Sequence, residues 1–307
     1  MNAVEIDRVT KTYRTPAGTQ TAVDDLSLTV PAGSIYGFIG PNGSGKTTTL
    51  RMIMRIIMPD AGRVAVLGGE ARGSADDRIG FLPEERGLYK KMKLRDALCF
   101  FAKLKSVRRP GPLVDEWLGK LGLAGHAGKK IEELSKGMGQ KAQFIAAVVA
   151  KPELAILDEP FSGLDPVNRD VLRDAILDLH RGGTTVIFST HDMGVAEQLC
   201  DRVFMIHLGR KVLDGTMDEI RRNHAERAWR IGFETLPPDA AGRLPEVQEL
   251  VVEGNTALVE LRPGADSQAF LAGALRLGRV ARFEPAQSLH DIFKRIAKPE
   301  AETAAAA

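Results

Sequence analysis

The stretch Gly40-Pro41-Asn42-Gly43-Ser44-Gly45-Lys46-Thr47-Thr48 constrains this chain more than any other. It fits the pattern G-x-x-x-x-G-K-[ST], and its flanks decide what that pattern means. The apolar run from Ser34 to Ile39 before it reads as a buried strand. The run from Thr48 to Ile57 after it reads as a helix with Leu50, Ile53 and Ile57 on one face. Strand, glycine-rich loop and helix in that order make an anion cradle. The glycines let the backbone wrap closely so that its N–H groups converge, and the helix N-terminus adds the positive end of its dipole. In such a cradle Lys46 reaches the β- and γ-phosphates of a nucleotide, and the Thr47 hydroxyl holds Mg2+.

A chain of 307 residues suggests two domains. Its 44% hydrophobic and 27% charged residues are ordinary for a soluble globular protein. The formal net charge of +2 makes no general electrostatic case for nucleic acid. Cys99 and Cys200 lie far apart without metal-ligand spacing, which suits a reducing, cytosolic compartment. The start, Met1 to Thr10, is charged and β-like rather than a signal peptide. No uncharged apolar run approaches the roughly 18 residues of a membrane helix, so the chain is expected not to cross a membrane itself.

Residues 2–31 read as strands with a turn at Pro16-Ala17-Gly18. Tyr13, among polar neighbours, is either an exposed edge-strand aromatic or a platform for a flat base. Ile79-Gly80-Phe81-Leu82 reads as a buried strand ended by Pro83. Glu84 then stands either at a ligand-facing strand end or in a solvated loop. Apolar residues from Leu94 to Leu121 recur at helical spacing, broken at Arg108-Arg109-Pro110-Gly111-Pro112. Leu134-Ser135-Lys136-Gly137-Met138 opens another helix, as a plain N-cap or a second anion site. Leu154-Ala155-Ile156-Leu157-Asp158-Glu159 is an apolar strand ending in two carboxylates. Beside a phosphate loop, Asp158 suits the Mg2+ shell and Glu159 the general base that takes a proton from water. A third buried strand, Thr184 to Thr190, ends at His191, a candidate γ-phosphate contact. Beyond a hairpin at Arg202 to Gly215 and a helix at Thr216 to Asn223, the polar run Arg221 to Arg227 reads as a linker. Residues 228–298 read as a small α+β unit with strands at Trp229–Thr235, Gln248–Glu253 and Thr256–Leu261. Its helices are expected at Gln268–Leu277 and Leu289–Ile296.

Taken in order, the phosphate loop, Leu134-Ser135-Lys136-Gly137-Met138, Ile156 to Pro160, Ser162-Gly163-Leu164-Asp165 and Ser189-Thr190-His191 resemble the ATP-binding subunit of ABC transporters. The resemblance covers about residues 2–220. It implies an α/β fold: a P-loop NTPase (RecA-like) core with an N-terminal antiparallel β subdomain and a helical subdomain at about 90–150. The cassette would occupy 1–222, the small α+β domain 228–298 and a disordered tail 299–307. The resemblance further implies a head-to-tail homodimer with ATP and Mg2+ sandwiched between copies. Gly40 to Thr48, His191 and Glu84 of one copy would face Ser135, Lys136 and Gly137 of the other. Asp165 would couple the two sites, and Tyr13 matches the family's adenine-stacking aromatic. Glu84 stands where most members carry a glutamine, and Lys136 and Met138 replace a glycine and a glutamine of the usual signature. The segment Leu82 to Tyr89, with the extra C-terminal unit, is similar to bacterial sodium- and drug-efflux exporter subunits. A separate integral membrane permease is thereby implied, with this subunit peripheral at the cytoplasmic face of the cell membrane. A soluble ABC-type ATPase acting on ribosomes or DNA is the alternative. Against it, only non-heptad helical sequence separates Lys46 from Ser135, and the chain has one cassette.

Overall fold

The computed structural model describes residues 1–16, 18–70, 76–85, 87–224 and 227–296. The chain divides into two compact units, Met1–Asp214 and Gly215–Ala307. The division falls ahead of the expected cassette boundary at 222.

The first unit begins with β1 (Asn2–Thr15), β2 (Gly18–Pro31), β3 (Ile35–Ile39), α1 (Lys46–Ile53), β4 (Ala61–Val66), β5 (Gly69–Glu70) and β6 (Ile79–Leu82). Helices α2 (Leu94–Leu104), α3 (Pro110–Lys120) and α4 (Lys136–Val148) follow. The unit closes with β7 (Leu154–Asp158), α5 (Pro166–Arg181), β8 (Thr185–Thr190), α6 (Met193–Leu199), β9 (Arg202–His207) and β10 (Arg210–Thr216). β1, β2, β4 and β5 form an antiparallel sheet in the order β2-β1-β4-β5. The central sheet has the order β10-β9-β3-β8-β7-β6, with β9, β3, β8, β7 and β6 parallel.

Every residue of β3, β7 and β8 is buried. Parallel strands covered on both faces read as continuous apolar runs, which is why these three are plain in the sequence. Alternate side chains divide between two cores. Ile35, Leu157, Val186 and Phe188 pack with Leu98, Trp117, Phe144 and Leu172 of the helices. Tyr36, Phe38, Ile156 and Ile187 pack with Val4, Val9 and Leu26 of the antiparallel sheet and with Leu50 and Ile53 of α1. Phe38 and Phe204 meet with ring centroids 5.1 Å apart. Each such fully buried side chain stabilises the fold by about 1.5–3 kcal/mol.

α1 is shorter than the expected helix to Ile57. Arg55 adopts a left-handed φ of 53°, which an α-helix cannot continue through, so the helix ends at Ile53 with Met54 as its cap. α5, by contrast, has a well-defined start at Pro166. Asp165 accepts a hydrogen bond from the Asn168 amide at 2.9 Å, and Pro166 occupies the first turn. Met58, just beyond the helix end, is 60% exposed.

The second unit contains α7 (Met217–His224), β11 (Ala228–Phe233), β12 (Val247–Glu253), β13 (Thr256–Leu261), α8 (Ser267–Leu277), β14 (Val280–Pro285) and α9 (Leu289–Ile296). Its strands form an antiparallel sheet in the order β12-β13-β11-β14. β14 was not expected; its mixed, half-exposed sequence carries no clean alternation. The polar run read as a linker from Arg221 contributes Arg221 to His224 to the end of α7, and its residues 225 and 226 lie outside the described residues. The core is Ile231, Phe233, Val259, Leu261 and Phe270. α9 is tied to the sheet by ion pairs of Arg230 with Asp291, Arg295 with Glu260, and Lys294 with Glu253. The tail at 299–307 lies outside the described residues. Among the described residues no helix is long and apolar enough to cross a membrane.

Candidate active site

The phosphate loop leaves β3 at Ile39 and enters α1 at Lys46. Two of its glycines are required by close approach as well as by backbone angle. Gly40 has φ 156°, and a Cβ there would lie 2.3 Å from the Ile206 carbonyl oxygen. Gly45 has φ 112°, and a Cβ there would lie 2.6 Å from the Ala22 carbonyl oxygen. The backbone is therefore pressed into the fold, with no side chain between it and whatever it wraps. Gly45 is the N-cap of α1 and provides no side-chain hydrogen bond, so no side chain at that position satisfies the first-turn amides. The buried Ser44 Oγ has no hydrogen-bond partner among the described residues. Open first-turn amides and an orphan hydroxyl fit an anion at this loop.

Lys46 is buried at the base of the loop. Its Nζ donates to the carbonyl oxygens of Gly40 at 2.7 Å and Pro41 at 3.0 Å. Burial pushes its ammonium below the ordinary lysine range, while the nearby carboxylates of Glu159, Asp158 and Glu84 oppose that shift. A cavity of about 320 Å³ opens beside it, lined by Asn42, Lys46, Thr47, Thr48, Glu84 and Glu159 among others. Residues far apart in sequence are thus brought to one space. The parallel order β3-β8-β7 is what does this, since all three strands end on the same edge.

Asp158 ends β7, and its Oδ1 accepts a short hydrogen bond from the Ser189 hydroxyl of β8. The Thr47 Oγ1 lies 3.4 Å from the same carboxylate oxygen. The Glu159 amide donates to Ser189 Oγ at 3.0 Å, so one serine fixes both acidic positions. Glu159 itself has a left-handed φ of 48°, which turns its side chain off the strand line. Its Oε1 lies 2.9 Å from Nδ1 of His191. The Glu159 side chain is 11% exposed and that of His191 61%, so the pair runs from the interior to the surface. A mostly buried carboxylate held by an imidazole beside an anion cradle can accept a proton from a water attacking a phosphate.

The other candidate residues lie elsewhere. Tyr13 on β1 is 38% exposed, with the Lys11 ammonium 5.9 Å from its ring. Ser135 caps α4 by accepting from the Met138 amide at 3.3 Å. The Lys136 side chain lies over Gly163, where a Cβ would fall 2.3 Å from Lys136 Cε. Gly137 faces Leu164, and Asp165 caps α5. None of these lines the cavity beside Lys46; Ser135 to Gly137 and Gly163 to Asp165 form a second constellation.

Four polar residues of the site region were assigned no role from the sequence. Ser189, read only within Ser189-Thr190-His191, is one. The others, Gln140, Lys141 and Gln143, are buried on α4. Gln140 donates to the Pro160 carbonyl at 3.0 Å, and Lys141 to the Leu121 carbonyl and Asn168 Oδ1, each at 2.8 Å. Gln143 donates to the carbonyls of Pro83 at 2.9 Å and Glu85 at 2.8 Å. Glutamine and lysine on a helix carry no sequence signal of burial; three within four positions, unrelieved by a charged face, is the only hint.

Comparison with known proteins identifies the family and the fold. Residues 23–162 match the ABC transporter family model. Residues 215–297 match the ATP-binding protein DrrA1-3-like, C-terminal domain. The chain is 39% identical over 295 residues to an uncharacterized ABC transporter ATP-binding protein of Bacillus subtilis, covering 94% of this chain and 96% of that one. It is 36% identical to the daunorubicin resistance ATP-binding protein DrrA3 of Streptomyces coeruleorubidus, covering 92% and 90%. Among solved structures, an ATP binding subunit of an ABC transporter superposes with a TM-score of 0.67 at 29% identity, covering 72% of this chain and 92% of that one. The chain therefore has the P-loop NTPase fold and the activity of an ATPase, and it belongs to the family of ABC transporter ATP-binding proteins.

Proposed function

We propose that this chain powers export through a separate membrane-spanning subunit, and that the Glu159–His191 pair beside the Lys46 cavity is its hydrolytic centre. The observation that carries the reading is the convergence of Lys46, Glu84 and Glu159 on one cavity, with Glu159 Oε1 2.9 Å from His191 Nδ1. Relatives named for daunorubicin resistance and Nod factor export support the export role.

In this reading the loop amides and Lys46 bind the triphosphate, and Tyr13 stacks on the adenine. Glu159 takes the proton of the attacking water, and His191 holds the Glu159 carboxylate in place and contacts the γ-phosphate. Thr47 and Asp158 hold Mg2+, with the Glu84 carboxylate alongside; the ion neutralises phosphate charge when bound. The donor set fits that ion. Mg2+ commonly takes one or two protein oxygens plus phosphates and water, and Thr47 Oγ1 and Asp158 Oδ1 already lie 3.4 Å apart. Ser135, Lys136 and Gly137 close over the ATP of a second copy, and Asp165 couples the two sites. Their position off the chain's own cavity supports that assignment.

The membrane subunit docks beside the Glu84 loop. There Tyr89 is 55% exposed and meets Phe100 and Phe101 with ring centroids 5.7 and 6.0 Å away. Next to this aromatic group a cleft of about 260 Å³ is lined by Leu88, Lys90, Ile131 and Leu134 among others. Arg86, in the same stretch of sequence, lies outside the described residues. The protein thereby sits at the cytoplasmic face of the membrane, with no nucleic-acid partner. Crosslinking and co-purification from native membranes test this: capture of an integral membrane protein supports the reading, and a wholly soluble protein without one overturns it.

A further inference from the structure

Gln143 sits two turns into α4, the helix that begins after Ser135. It is 4% exposed. Its single side-chain nitrogen carries two hydrogens, and both are used. One goes to the Pro83 carbonyl at 2.9 Å, the other to the Glu85 carbonyl at 2.8 Å. These carbonyls flank Glu84 on either side. The backbone that carries Glu84 is thus gripped at two points by one planar amide. The loop supplies no regular structure of its own here, since β6 ends at Leu82.

The same helix face holds a second loop. Gln140, one turn earlier, donates to the Pro160 carbonyl next to Glu159. The two glutamines tie α4 to both acidic residues that line the cavity beside Lys46. On its other side Gln143 lines the cleft of about 260 Å³ with Leu88, Lys90 and Leu134. A displacement of α4 or of that cleft therefore reaches Glu84 through one side chain.

We propose that Gln143 is a positioning residue for Glu84: it pins the backbone on both sides of that carboxylate, so that Glu84 moves with the helix headed by Ser135-Lys136-Gly137. This rests on the reading of Glu84 as a group that serves ATP hydrolysis. Gln143 does not line the cavity beside Lys46, and acts on it only through the loop it holds. Removing its two donors frees the loop without emptying the cavity.

The test is a double-substitution cycle in the full-length chain. Gln143→Met keeps the volume and removes both donors; Gln143→Glu, which replaces the donating amide nitrogen with an acceptor oxygen, serves if the methionine variant does not fold. Turnover, ATP affinity by calorimetry and backbone hydrogen exchange over residues 80–90 are measured with and without Glu84→Ala. Gln143→Met is expected to leave ATP affinity within about twofold and to lower kcat about three- to thirtyfold, the range of one coupled contact. It is expected to speed exchange in the loop, and to change kcat little once Glu84 is alanine. Equal losses in both backgrounds, when Glu84→Ala is itself harmful, overturn the positioning role alone. Unchanged kcat or unchanged loop exchange in the Gln143 variant also overturns it. If Glu84→Ala by itself leaves turnover intact, the reading of Glu84 fails and the role of Gln143 falls with it.

Discussion

Exchange of Glu159 for glutamine separates chemistry from architecture in this site. The amide oxygen of glutamine can still accept from His191, whose Nδ1 lies 2.9 Å from Glu159 Oε1. The backbone amide keeps its bond to Ser189. What is lost is the ability to take a proton from water. A positioned general base contributes about 10²–10⁴-fold, which is about 3–5 kcal/mol of barrier at 1.36 kcal/mol per decade. Binding moves the other way: Glu159 is the foremost of the carboxylates beside Lys46, so its neutralisation removes a repulsion toward phosphates. Phosphate release at saturating ATP is expected to fall by at least about a hundredfold. ATP affinity by calorimetry stays level or rises, and an ATP-bound dimer accumulates on size exclusion. Turnover within tenfold of the native value refutes Glu159 as the base. The backbone offers an independent check. A left-handed φ of 48° costs an L-residue about 1–2 kcal/mol, against about 0.5–1 kcal/mol for glycine's extra freedom in the unfolded chain. Glu159→Gly is therefore expected to be more stable than Glu159→Ala by up to about 1 kcal/mol in denaturant unfolding, although both are inactive.

Lys46→Ala removes the ammonium that neutralises phosphate; most ATP affinity is lost in calorimetry while far-UV circular dichroism is retained, and unchanged affinity contradicts the site. Ser189→Ala strands the buried Glu159 amide and frees Asp158, and is expected to cost about 1–3 kcal/mol in denaturant unfolding together with a loss of turnover. Asp60 is held at a pKa of about 2, below its ordinary 3.8, by hydrogen bonds from Lys11 and Thr12. Its contribution is therefore full above pH ~4 and disappears as pH falls toward 2, so the acid limb of the stability profile flattens in Asp60→Asn; an identical limb contradicts the assignment. A chain ending at Thr216, where β10 ends, is expected to unfold cooperatively and to bind ATP, because every residue of the Lys46 cavity precedes it; non-cooperative melting shows instead that the two units share one core.

What was legible in the sequence was whatever chemistry is written locally. Glycines at fixed offsets marked the phosphate loop, and unbroken apolar runs marked β3, β7 and β8. The carboxylates and His191 stood where those runs stopped. The lost features are those decided by a distant partner. Ser189 reads as one more small strand residue until Asp158 and Glu159 are beside it. Gln140, Lys141 and Gln143 look like a solvated helix face because the carbonyls they serve belong to Leu121, Pro160, Pro83 and Glu85. The end of α1 was missed for another reason: Arg55 favours helix by composition, and only the close of the turn forces it to a positive φ. β14 was missed because Val280–Pro285 is paired along one edge and carries no fully buried side chain to announce it.

The strand order of the central sheet also sets a timetable for synthesis. β3, which launches the phosphate loop, has only β8 and β9 as neighbours, and both are made far later than β3 itself. At ~5–20 residues per second the wait is on the order of ten seconds. Through that interval Gly45 already has the Ala22 carbonyl behind it, but Gly40 has nothing to press against, since the carbonyl behind it belongs to Ile206. β1 and β2 can pair at once, but the cradle cannot close until the ribosome has passed His207. Nucleotide capture is thus a late event in the life of the nascent chain, and a ribosome stalled before Thr185 carries a folded hairpin with no ATP site.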